Sequence, residues 1–184
     1  VLTFAFFATD SFVPLALKEV RHQATWVAGV ALTAATMTWT AASWIQQRRI
    51  HTDGPRRLVA IGFAAVVIGI AGAHLILVSS FPLPLGIALW AVAGFGIGLA
   101  YAPLSVTVLD QATPGSEGSA TSSLQLTDVL GVALGAGAVG ALVDLGDGRG
   151  WLPASSLHIG FALTLAVAAV GIVLTRRLPT HLAN

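Results

Sequence analysis

Apolar residues fall into six runs along the chain, separated by short joins that are polar or rich in glycine and proline. A helix that crosses a bilayer needs about 20 mostly apolar residues. The runs cover residues 2–17, 24–45, 58–79, 85–109, 119–143 and 157–175, the first of them truncated. Between them lie KEVRHQ, QQRRIHTDGPRR, SFPLP, DQATPGSEG and DLGDGRGWLPASS, the composition of turns between antiparallel helices. No run alternates with the period of a strand, and no globular insert interrupts the series. The pattern predicts an all-α integral membrane protein, one bundle of six transmembrane helices over residues 1–184.

Composition agrees. Of 184 residues, 55% are hydrophobic and 9% charged, whereas soluble domains carry about 25% charged residues. The solvent partner is therefore the lipid bilayer. A net charge of +1 excludes the concentrated basic face that nucleic acid requires. No cysteine is present, so disulfides and thiolate metal sites are excluded. The sequence starts at Val1 inside an apolar run, without a positively charged leader. That start predicts a piece of a longer protein.

Charge in the joins predicts orientation. Arg48, Arg49, Arg56 and Arg57 crowd the second join, and Arg176 and Arg177 follow the last run. Lys18, Arg21 and Arg149 lie on the opposite side. The positive-inside rule makes the arginine-rich side cytoplasmic, with both ends of this stretch on that side. Trp26 and Trp44, eighteen residues apart, are separated by about 27 Å of helix. That length matches a hydrocarbon core with an aromatic anchor at each face.

Two acids stand inside apolar runs. An ionised carboxylate at the bilayer centre costs about 2.5–3.5 kcal/mol on insertion scales, so one is rarely kept without a use. Asp128 shares a stripe with Thr121, Gln125 and Gly135, with Gly131 beside it. The competing reading is an interhelical hydrogen bond worth about 0.6 kcal/mol. Asp10 lies four residues before Pro14, which cannot donate to the Asp10 carbonyl and so predicts a bend carrying two acceptors. Asp128, Asp10 and Gln125 are thus candidates for proton coupling or substrate binding.

Other features have plainer readings. Thr33, Thr36 and Thr40 continue a small, hydroxyl-bearing stripe from Gly29 to Ser43 in the second run, predicting a cavity wall or close helix packing. Gly94 with Gly98 and Gly131 with Gly135 are small-xxx-small pairs of the same meaning. Tyr101 reads as an interface anchor. His74 and His158 have no second ligand at helical spacing, so no metal site is expected. Nucleophile-elbow, metalloprotease and phosphate-loop signatures are absent, and no lysine lies within a run.

The segment GFGIGLAYAPLSVTVLDQATPGSEGSATSSLQLTDVLGVALGAGAVGAL, residues 94–142, resembles the tenth and eleventh helices of bacterial drug:proton antiporters of the major facilitator superfamily (MFS). Pro114, Gly115 and Gly118 match the loop of that pattern. Gln125, Leu126, Asp128, Gly131, Ala133, Leu134 and Gly135 match the run that follows it. SWIQQRRIHTDGPRRL resembles the superfamily's basic G-x-x-x-D-R-x-G-R-R loop in degenerate form. There Ser43 replaces the first glycine, Gln47 replaces the acid, and residues 50–53 are inserted before Gly54, Arg56 and Arg57.

The resemblance implies the C-terminal six-helix half of a transporter whose N-terminal half is absent from this sequence. It implies proton-coupled efflux of a small amphipathic or drug-like compound by alternating access, with no cofactor beyond the proton gradient. Arg48, Arg49, Arg56 and Arg57 would hold the cytoplasmic basic loop. The rival expectations are an importer or facilitator without proton coupling, and a six-helix membrane subunit that transports nothing.

Overall fold

The computed structural model describes residues 1–182. Among them there is helix and no strand. Five α-helices follow in order: α1 (Leu2–Leu15), α2 (Thr25–Ile76), α3 (Leu83–Asp110), α4 (Glu117–Gly148) and α5 (Pro153–Leu174). Four of them, α2 to α5, are long and apolar enough to cross a membrane. A π-helical turn over Ala16–Val20 extends α1, and a 3-10 turn over Thr175–Arg177 extends α5.

The 52 residues of α2 form two rods. Gly54 breaks the run with φ 74° and ψ 159°, a conformation that glycine adopts without a Cβ penalty. Pro55 then starts the second rod, where its missing N–H costs nothing. A side chain at Gly54 would also collide with the Thr180 carbonyl, because the C-terminal segment crosses the break here. The polar join expected over 46–57 is therefore helical except at one residue. Asp53 supports this by pairing with Arg49 at 3.5 Å and with Arg57 at 3.2 Å, both at i,i+4 spacing.

Close approaches between glycines and neighbouring helices give the helix directions. Gly94 and Gly98 of α3 meet Ala35 and Trp39 in the first rod of α2, so these two run parallel. Gly62, Gly69 and Gly72 of the second rod meet Ala100, Ala93 and Leu89, so that rod runs antiparallel to α3. Small residues let these backbones touch, the main route to helix association where lipid removes the hydrophobic drive. Gly131 and Gly135 likewise bring α4 against Thr3, Phe4 and Ala8 of a parallel α1.

Burial is uneven. Trp90, Phe161, Ile70, Ile97 and Leu157 are fully buried where α1, α2, α3 and α5 meet. In contrast, α4 buries only Gly135, Val139 and Gly146. It leans on α1 and α5 and touches α3 thinly. Leu126, Val129 and Leu134 leave it 62%, 64% and 64% exposed, a face turned outward to lipid or to another part of the protein.

Helix ends extend past several expected limits. The chain remains helical through Pro14, and the irregularity appears just after it as the π-turn. Helix α4 runs to Gly148, and α5 starts at Pro153 in the favoured first-turn position. On the side opposite the arginine cluster, Arg21 bridges two connections. Its guanidinium donates to the carbonyls of Ile76 at 3.1 Å, Val78 at 2.8 Å and Phe81 at 3.1 Å, satisfying the end of α2. Composition alone had counted Arg21 as a loop charge.

Candidate functional site

Asp128 lies on the α4 face that packs toward α1 and α3, half-buried. The Tyr101 hydroxyl of α3 donates a hydrogen bond to its Oδ2 at 2.8 Å. No lysine or arginine forms an ion pair with it among the described residues. The two side chains line a cavity of about 260 Å³ with Leu104, Ser105, Leu124 and Thr127. Val59 and Phe63 of α2 and Gly171 and Leu174 of α5 close its far side. A carboxylate in such a setting has one neutral donor and an apolar surround, so a proton or an organic cation would find it uncompensated.

Tyr101 is a residue that sequence reasoning placed elsewhere. Its aromatic anchor role had followed from its place near the end of a run. In the fold it bonds the intramembrane acid and also meets Trp39 of α2, with ring centroids 6.3 Å apart. Nothing in local spacing marks a partner 27 residues away on another helix.

Asp10 occupies a second setting. It is half-buried on α1, and the Trp90 indole of α3 interacts with its carboxyl. Trp90 is fully buried, and its Nε1 reaches no acceptor at hydrogen-bond geometry. Phe6 stacks on Trp90 at 5.3 Å and meets Trp39 edge-on at 5.9 Å. An aromatic path thus runs from Trp90 through Phe6 and Trp39 to Tyr101, with an acid at each end. The acids do not form one site. Because α1 and α4 are parallel with Gly135 beside Phe4 and Ala8, Asp10 lies about 15 Å deeper along the bundle than Asp128.

The remaining candidates separate in space. Gln125 is exposed and absent from the cavity wall, whereas Leu124 and Thr127 take the positions beside Asp128. Thr33, Thr36 and Thr40 are exposed on the first rod of α2. Thr36 and Thr40 bond back to the carbonyls of Leu32 and Thr36. Thr38, off that stripe, bonds back to the Ala34 and Ala35 carbonyls and also reaches the Ala91 carbonyl of α3 at 2.6 Å. Gly94, Gly98, Gly131 and Gly135 are helix contacts.

In the basic loop, Arg49 and Arg57 share Asp53, Arg48 lies 3.6 Å over the Trp44 ring, and Arg56 lines a shallow groove with Thr180 and His181. His74 and His158, separate in sequence, meet across α2 and α5 with ring centroids 4.8 Å apart. No third ligand joins them among the described residues.

The fold is an all-α bundle of long apolar helices, an integral membrane architecture, with an acid inside one of them. Over 98% of its length the chain superposes on the inward-open xylose transporter XylE of E. coli, with TM-score 0.72 and 16% identity, covering 47% of that protein. At that identity the likeness is one of fold: the chain has the fold of about half of that protein.

Two curated Mycobacterium tuberculosis proteins, from strains CDC 1551 / Oshkosh and H37Rv, are each named a probable multidrug-efflux transporter. Each is 28% identical to this chain over 194 residues, covering 92% of it. The chain spans 38% of each relative's length. No protein-family profile matches it.

Proposed function

We propose that the chain is the C-terminal six-helix half of a secondary transporter that exports small amphipathic or drug-like compounds in exchange for protons. The observation that carries this reading is Asp128: a carboxyl inside an apolar helix, facing a cavity, with a tyrosine hydroxyl and no basic side chain as its partner. Groups of this kind mark proton and ion paths in membrane proteins. The substrate would lie between this half and an N-terminal half, which would rock to open the site to each side in turn. Asp10 with its aromatic neighbours would be the deeper polar point of that path, and exposed Gln125 would face the other half. The arginine-rich side would be cytoplasmic in a bacterial plasma membrane, with Arg48 and Arg56 free to meet anionic headgroups. The names of the mycobacterial relatives support efflux as the direction.

The test uses the full-length transporter in cells loaded with ethidium. Asp128→Asn preserves shape and removes the titratable proton, so efflux should fall at least tenfold while protein level holds. A proton uncoupler should stop efflux by the parent protein. Wild-type efflux from Asp128→Asn would overturn the assignment of the site. Uncoupler-insensitive transport would favour a facilitator.

A further inference from the structure

Asp128 is held from one direction only, and by a helix that its own helix otherwise barely touches. Glycine contacts seat α4 on α1, and Val139 meets Gly160 of α5. Between α4 and α3, the Tyr101 hydroxyl donates across to Asp128. The other walls of the cavity bring no titratable side chain toward the acid: α2 contributes Val59 and Phe63, and α5 contributes Gly171 and Leu174. From the start of α1 come Val1, Leu2 and Thr3, none with a titratable side chain. The bond to Tyr101 is therefore a polar tie between α4 and α3 at the cavity.

We propose that Tyr101 is the positioning residue for Asp128, a latch that holds α4 to α3 while the carboxyl is ionised and loosens when it takes up a proton. This rests on the reading of Asp128 as the proton site. A hydroxyl donates to a carboxylate about twice as strongly as to a neutral acceptor. When the carboxyl binds one proton from water in the cavity, Oδ2 loses its charge and the bond drops to an ordinary neutral one. Helix α4 buries three residues and is seated on α1 and α5, so its thin contact with α3 is the side that can open. Through the Trp39 contact, release of the Tyr101 ring reaches α2 and, by Phe6, α1. Protonation at one carboxyl is thereby coupled to the relative position of the helices that face the cavity.

Tyr101→Phe tests this, since it keeps the ring and its contact with Trp39 and deletes only the hydroxyl. Dicyclohexylcarbodiimide reacts with carboxyls in apolar surroundings, so its attachment to Asp128 at one fixed pH, read by mass spectrometry on the full-length protein, needs no substrate. Tyr101→Phe should raise that attachment about tenfold, because the hydroxyl no longer occupies the carboxyl oxygen. Attachment at Asp10 should stay unchanged.

Spin labels at Val106→Cys and Leu126→Cys, in a sequence with no native cysteine, report the α3–α4 separation. At alkaline pH that separation should be narrow in the parent and broad in Tyr101→Phe and in Asp128→Asn. Parent-like attachment at Asp128, or a parent-like separation in Tyr101→Phe, overturns the latch. Neither readout depends on efflux, so these outcomes are distinguishable from failure of the transport reading, which the Asp128→Asn efflux assay decides.

Discussion

Replacing Arg21 by alanine should cost about 2 kcal/mol of stability. The guanidinium fork makes four hydrogen bonds, with two nitrogens serving the carbonyls of Ile76, Val78 and Phe81. Hydrogen bonds to a charged group are worth about 1.5–3 kcal/mol each where water is excluded. The bonds to Ile76 and Phe81 are part-buried, and the bond to Val78 is exposed and contributes little. Two such bonds give roughly 3–4 kcal/mol at the lower half of that range. Fixing an arginine side chain takes back up to about 2 kcal/mol of rotamer entropy. Favourable placement of a cation at the C-terminal end of α2 returns about 0.3–1 kcal/mol.

Arg21→Lys separates charge from geometry. An ammonium keeps the helix-end interaction and one carbonyl but cannot span all three, so about half the loss should remain. The assay is thermal unfolding of the full-length protein in detergent, compared at one scan rate because such unfolding is seldom reversible. A loss under about 0.5 kcal/mol for Arg21→Ala, the ordinary scatter of surface changes, would refute the clamp. An Arg21→Lys protein as stable as the parent would show that charge alone matters.

Two further outcomes follow from packing. Gly94→Ala would drive a methyl group into the Ala35 carbonyl, and the overpacking cost of about 1–3 kcal/mol exceeds the gain in helix propensity of up to about 1 kcal/mol. Gly137→Ala on α4, with open space around it, should be neutral or stabilising in the same melting assay. If both behave alike, the α2–α3 contact is not as close as described. Thr164→Val removes the buried 2.8 Å bond to Thr9 between α1 and α5. Thr9 still donates to the Ala5 carbonyl, so the melting change should stay near the 0.6 kcal/mol average for interhelical bonds in membranes. A loss above about 2 kcal/mol would mean that this pair organises the core.

The sequence by itself determined the solvent and the local structure. Long apolar runs with almost no charge cannot satisfy their backbone groups in lipid except as helices, so helix and membrane were both legible without coordinates. Asp128 and Asp10 were legible for the same reason, since an acid is conspicuous where desolvation is expensive. Glycine spacing suggested contact faces, and Gly94, Gly98, Gly131 and Gly135 lie where helices approach closely, since close approach needs small residues.

Partnership was decided only by the tertiary structure. Periodicity says which residues share a face of one helix and nothing about which helix that face meets. Hence Tyr101 became the partner of Asp128, and His74 met His158. Arg21 closed the end of α2, while Gln125, though close in sequence to Asp128, fell outside its cavity. The join over 46–57 stayed helical because Asp53 bridges arginines on both sides of Gly54, where the C-terminal segment packs against the break. Each of these depends on where two distant segments are placed, and no local pattern carries that information.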